Sequence, residues 1–261
     1  KLEADAVRVE SAPTIDGEID GAWDMASWNQ IAYLMPDPWV TPDTPFEAMY
    51  KLLWDDTNLY ILVEVVDDVL AVYTEGVGAW QDDSIELFFD LANDGGAYDS
   101  FTSQTYFRAV DDEAFYAGGG TEITTIDRNT VETDTGYRVE ISVAWSNWGV
   151  TAGDLSAIGF DINVNDGDVR NDWAPARLLW NNTANDSSQS AEGFGIVNLV
   201  EDTGGSMYGG YPLQDGWIET DEAGWLYVGG NSWLYSLSME GWMYASSESF
   251  GSSGTWFYIA K

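Results

Sequence analysis

The sequence has no cysteine and no histidine. Without thiols there are no disulfides, no thiol catalysis and no iron–sulfur clusters. Without imidazole the usual zinc sites, Ser-His-Asp triads and histidine-ligated haem are excluded, and neither haem nor a nucleotide cofactor is expected. Basic residues are scarce: 9 Lys and Arg stand against 45 Asp and Glu, for a net charge of −36. Such a chain repels phosphate, so nucleic acid is excluded as a partner. Anionic membrane surfaces are excluded by the same repulsion. No run of 18 apolar residues occurs, so no membrane insertion is expected. Blocks of strong helix formers are also missing. The chain opens on Lys1 rather than Met, which fits a processed or trimmed protein. Low Lys with abundant Asp, Asn, Gly, Ser and Thr points to a secreted, extracellular or cell-surface bacterial protein.

What the sequence does have suits β structure. Of 261 residues 45% are apolar and 15% aromatic, with 14 Trp, 14 Tyr and 27 Gly. That is enough to bury a core and favours short strands joined by turns. Strand-like runs fall at 6–10, 47–55, 58–67, 83–90, 104–110, 136–145, 157–166, 176–180 and 195–200. Turn clusters such as "DDTN", "NDGG", "DTG" and "NDGD" separate them. Within "WQDDSIELFFD" (80–90), Ile85, Leu87 and Phe89 share one face, and Glu86, Phe88 and Asp90 the other. The expected fold is all-β: a two-sheet antiparallel sandwich of jelly-roll or immunoglobulin-like type over residues 1–200.

Residues 201–210, "EDTGGSMYGG", read as a linker. Residues 211–261 then form an aromatic repeat, with Trp217, Trp225, Trp233 and Trp242 spaced 8, 8 and 9 apart and Trp256 following. Tyr227, Tyr235, Tyr244 and Tyr258 each lie two residues beyond one of these tryptophans, so each Trp/Tyr pair shares a strand face. The expected appendage is a stack of short hairpins. It either packs on itself or docks on a wall polymer, a sister copy or the first domain.

An ordered set of fragments is more specific: "PTIDGEIDGAWDMA" (13–26), "LLWDDTNLYILVEVVDDVL" (52–70), "WQDDSIELFFD", "FRAV", "IGFDINVND" and "FGIVNL". Together they resemble a family 9 carbohydrate-binding module, a DOMON-like β-sandwich, over about residues 5–200. The resemblance implies that Trp80 stacks on a sugar ring, that Glu86 bonds its hydroxyls, and that Arg108 and Asn185 join the polar set. It also implies a second tryptophan just before the closing Phe-Gly. That position falls near Ser188, and no aromatic lies between Trp180 and Phe194. Trp173 or the C-terminal aromatics are the candidates to replace it.

The chemistry agrees. Pyranose C–H faces pack on indole, while carboxylate and guanidinium groups select hydroxyl geometry. Arg108 needs a carboxylate partner, for which Glu86 or Glu64 is expected. Structural calcium is a further implication. Candidate ligands are Asn165, Asp166, Asp168 and Asp172 in "NVNDGDVRND", and Asp16, Glu18 and Asp20 in "DGEID". Neither matches the twelve-residue calcium loop, and ordinary Asx turns are the alternative. Paired carboxylates are uninformative in so acidic a chain, so no enzyme is expected. The function expected is extracellular binding of a poly- or oligosaccharide. The alternative is a structural subunit of a calcium-dependent surface layer or filament, in which the aromatic repeat docks on a neighbouring copy.

Overall fold

The structure, a computed structural model, describes residues 1–35, 46–71, 78–109, 114–116, 119–170 and 175–202. In the tail it describes residues 207–208, 211–212, 217–220, 224–228, 233–236, 241–244 and 258–259. Thirteen strands form the main body: β1 (Glu3–Arg8), β2 (Asn29–Gln30), β3 (Tyr33–Leu34), β4 (Glu47–Trp54), β5 (Asn58–Val66), β6 (Ser84–Asp90), β7 (Thr102–Arg108), β8 (Ala114–Tyr116), β9 (Ile126–Thr133), β10 (Gly136–Ala144), β11 (Ala157–Arg170), β12 (Pro175–Leu179) and β13 (Gly195–Val200). The only helical elements among the described residues are single 3-10 turns.

The strands run β8-β7-β6-β11-β13-β1-β4-β5-β10-β9, with β12 beside β11 and β2 beside β4. This path folds over on itself into two layers joined at β1. The layers meet through period-two alternation: Ile85, Leu87 and Phe89 of β6 and Phe160 and Ile162 of β11 share one buried core with Leu52, Ile61, Val63, Val139 and Ile141. Each such side chain contributes about 2 kcal/mol on burial. One feature departs from the expected antiparallel sandwich: β1 pairs parallel with both β13 and β4.

The opening motif has a structural purpose. Trp23, fully buried, packs with Val9, Leu53, Tyr60 and Leu62 on the outer face of β4 and β5. Glu140 of β10, also fully buried, accepts from Asp16 N at 2.9 Å, Gly17 N at 2.7 Å and Trp23 Nε1 at 2.7 Å. Gly17 takes φ +86° there, which glycine adopts without steric cost. Burial pushes the Glu140 carboxyl up, and its three donors pull it back.

In the tail, β14 (Met207–Tyr208) pairs with β15 (Tyr211–Pro212). β16 (Trp217–Thr220), β17 (Gly224–Val228), β18 (Trp233–Ser236), β19 (Gly241–Tyr244) and β20 (Tyr258–Ile259) pair in chain order. Their register sets Trp217, Tyr227, Tyr235 and Trp242 opposite one another in a row. Trp256 lies outside the described residues, as do the side chains of Trp217, Trp225, Trp233 and Trp242.

Candidate functional site

The face of β6, β7 and β11 turned away from the core carries polar side chains. β6 contributes Glu86, β7 contributes Gln104 and Tyr106, and β11 contributes Asn163 and Asn165. Registers place Glu86 opposite Tyr106 on one side and Asn163 on the other. β12 adds Arg177, the turn before β6 adds Trp80, and the loop after β12 adds Asn185, Ser187 and Ser188. These groups line a depression of about 550 Å³, with Phe88 at its base; Asn165 alone is set behind them.

The half-buried Trp80 sits in the 3-10 turn Ala79–Gln81. Gly78 lies against its indole, and a Cβ there would come within 2.8 Å of Trp80 Nε1. Gln81 closes the turn, accepting from Gly78 N at 2.8 Å. Glu86, only 5% exposed, accepts from Asn165 Nδ2 at 3.0 Å and Gln104 Nε2 at 3.1 Å. Arg177 Nη2 stands 3.8 Å from Glu86 Oε1. The same guanidinium donates from Nε to Asn165 Oδ1 at 2.6 Å and from Nη1 to Asn185 Oδ1 at 2.8 Å. Its central carbon is 5.5 Å from the Trp80 ring centroid. Asn163 Oδ1 is buried without a hydrogen-bond partner. Burial, and then the charge of Glu86, push the Tyr106 phenol up.

Trp80 and Glu86 therefore converge with Asn185, which is distant from them in sequence. Arg108 does not line the depression. Its register partner is Ser84, two pairs from Glu86, and it forms an ion pair with Asp82. Glu64, the other expected partner, pairs with Arg138 instead. The guanidinium facing Glu86 is Arg177, which sequence reasoning missed together with Gln104, Tyr106 and Asn163. Alternation was the available signal: Gln104 and Tyr106 fall two apart opposite Phe88 and Glu86. Ser188 stands where the second aromatic was expected. Trp173 lies outside the described residues.

Three buried carboxylates, Asp67, Asp83 and Asp166, bring oxygens within 4.8 Å of one another. They follow β5, precede β6 and lie on β11. Asp83 accepts from Gly167 N at 2.6 Å and from Ala71 N. The buried Tyr137 hydroxyl beside them has no hydrogen-bond partner. Its pKa is raised by burial first and then by Asp83, Asp67 and Asp166. A hard, oxygen-only donor set of this charge fits calcium.

Of the expected acidic ligands among the described residues, only Asp166 belongs to this cluster. Asp168's side chain and all of Asp172 lie outside the described residues. Asp16 instead accepts from Glu18 N, and Asp20 from Ala22 N and Thr14 N, as turn and cap groups. The missed partners Asp67 and Asp83 come from the Asp-Asp pairs that follow β5 and precede β6.

The profile of the carbohydrate family 9 binding domain-like family matches residues 15–202. The chain belongs to that family. An exoglucanase XynX of Acetivibrio thermocellus is 31% identical over 195 residues, covering 75% of this chain and 17% of the relative. An endo-1,4-beta-xylanase A of Thermoanaerobacterium saccharolyticum is 29% identical over 210 residues, covering 80% and 17%. The chain thus spans about a sixth of the length of these curated relatives. A family 9 module from Caldicellulosiruptor kristjanssonii, solved with cellotriose, superimposes with a TM-score of 0.63 at 25% identity. It covers 77% of this chain and 95% of that one. The same module with glucose gives 0.62. Family 9 modules bind carbohydrate without catalysing its cleavage, and the β-sandwich is the shared architecture.

Proposed function

We propose that this chain is a non-catalytic, extracellular carbohydrate-binding module that seats a neutral sugar ring in the Trp80 depression. The observation that carries the reading is the convergence of Trp80, Glu86, Arg177 and Asn185 on one pocket. The indole supplies an apolar platform for a pyranose C–H face. Glu86 supplies acceptor oxygens, Arg177 and Gln104 supply donors, and the unpartnered Asn163 Oδ1 offers one more acceptor for a hydroxyl. A net charge of −36 disfavours polyanionic glycans. The relatives' cellotriose and glucose complexes, and their xylanase and exoglucanase contexts, favour gluco- or xylo-configured chains. With Ser188 where a second aromatic would close the clamp, stacking is one-sided and affinity correspondingly modest. Calcium at Asp67, Asp83 and Asp166 holds the start of β6, and hence the Trp80 turn, in place.

Titration calorimetry with cellotriose and xylotriose tests the reading. Trp80→Ala is expected to weaken binding by about tenfold, the loss of roughly 1–1.5 kcal/mol of stacking, with the melting temperature kept. Identical affinities for wild type and variant on every neutral glycan tried would sink it. A second reading, attachment or self-assembly through the tail, draws on the cross-strand row Trp217, Tyr227, Tyr235 and Trp242. Sedimentation with calcium and then with chelator tests that role, and a monomer in both conditions rejects assembly.

A further inference from the structure

Asp161 lies on β11 between the core residues Phe160 and Ile162, in the row that continues to Asn163 and Asn165. It is fully buried, opposite Phe88 of β6. One carboxylate oxygen accepts from Ile162 N and Asn181 N, both at 3.1 Å. The other accepts from Asn182 N at 3.2 Å and Ser187 Oγ at 2.8 Å. Three of the four donors belong to the loop after β12, the loop that brings Asn185, Ser187 and Ser188 to the depression.

Asn182 extends this anchor through the loop. Its Oδ1 accepts from Ala184 N at 3.1 Å, its Nδ2 donates to Asp186 at 2.7 Å, and its carbonyl accepts from Asn185 N at 3.2 Å. Asn185 then takes φ +56°, a left-handed conformation that asparagine tolerates better than most residues, and its Oδ1 reaches Arg177.

A buried carboxylate met only by neutral donors does little for stability. Burial outweighs its four hydrogen bonds and pushes its pKa up to about 6, so ionisation is harder in the folded chain than in the unfolded one. A charge kept against that cost, with its bonds gathered on one loop of the pocket, fits the trade of stability for a preorganised site.

We propose that Asp161 is a positioning residue of the saccharide site: its carboxylate fixes the 181–187 loop so that Asn185 and Ser187 stand at the depression. The proposal rests on reading that depression as the sugar site. The titratable group facing Asp161 is Tyr50 of β4, whose phenol is raised by burial and then by Asp161; Asp186 of the loop is linked to it through Asn182.

Asp161→Asn in the full chain tests it. The amide keeps the volume and one acceptor, but turns an NH₂ towards Asn182 N–H and Ser187. Three results are expected: an unchanged or higher melting temperature, about tenfold faster amide exchange over 181–187, and about tenfold weaker cellotriose binding at pH 7. Wild-type affinity is expected to fall as pH is lowered through about 6, and the variant's profile to be flat there. Loop exchange and affinity both within about twofold of wild type, on the same scales, would overturn the positioning role and leave Asp161 a buried strut. If wild type and Trp80→Ala alike bind no glycan, the saccharide reading falls, and exchange at 181–187 alone still decides whether Asp161 holds the loop.

Discussion

Chelation is the perturbation with the most directly calculable outcome. Asp67, Asp83 and Asp166 hold carboxylate oxygens within 4.8 Å of one another in a buried setting. At an effective dielectric of 20, each such pair of unit charges repels by about 3.5 kcal/mol. Three ionised groups without a cation therefore repel by about 10 kcal/mol before their hydrogen bonds are counted. A bound divalent ion reverses the sign. Calcium held at a hundredfold excess over its dissociation constant adds about 2.7 kcal/mol. For a domain of this size that corresponds to a melting shift of about 5–11 °C. Differential scanning calorimetry in calcium and then in chelator measures the shift, and equilibrium dialysis counts the ion. Asp166→Asn is expected to abolish the calcium increment. In chelator the variant is expected to melt at or above wild type, because one repelling charge is gone. A chelated protein that melts within about 1 °C of the calcium form, with no ion bound per chain, would refute the argument.

Four further outcomes follow from the same geometry. Ser188→Trp is expected to close the clamp and tighten cellotriose binding by about tenfold, measured by calorimetry. Glu140→Ala orphans three donors that hold the Asp16–Trp23 segment, and is expected to cost about 3–5 kcal/mol in urea unfolding, far more than Glu140→Gln. Gly78→Ala places a methyl against the Trp80 indole, and is expected to shift Trp80 fluorescence and weaken sugar binding with little change in melting temperature. Asp161 titrates at about 6 in the fold, above its unfolded value. Its stability contribution is therefore fully present below about pH 4 and lost as pH rises through about 6. Asp161→Asn should flatten the stability profile across that window. Asp90 and Glu140, also raised, act in the same direction, and Asp55, lowered, opposes them.

The two-layer β fold was legible because its central strands alternate cleanly. β6 and β11 each place every second residue in the core, and Trp80 and Glu86, from one ordered motif, line the same depression as Asn185. β9 was not legible. It is an edge strand with no buried residue, so it carries little hydrophobic period. Arg177 was missed because its neighbours Ala176 and Leu178 are buried, which makes the stretch read as apolar. The exchange of Arg108 for Arg177 is a register effect: one pair along an antiparallel ladder separates Ser84 from Ile85, and the next reaches Glu86. Sequence alternation does not specify which residues of two strands stand opposite. The carboxylate cluster was visible only in Asp166 for the same reason, since Asp67, Asp83 and Asp166 meet only once β5, β6 and β11 are arranged in space.

The parallel pairing of β1 with both β13 and β4 bears on how this chain is made. The seam strand is synthesised ahead of the partner it needs, β13, which follows some 190 residues later. Until then β1 holds β4 along its last residues, Val7 and Arg8, with Val9 N donating to Trp54 O just beyond, and one flank of the nascent sandwich stays open. A polypeptide stalled or truncated before Gly195 would expose unsatisfied ladders on β1 and β11 together, so late vectorial closure, rather than early hairpins, sets the moment at which the domain becomes safe from aggregation.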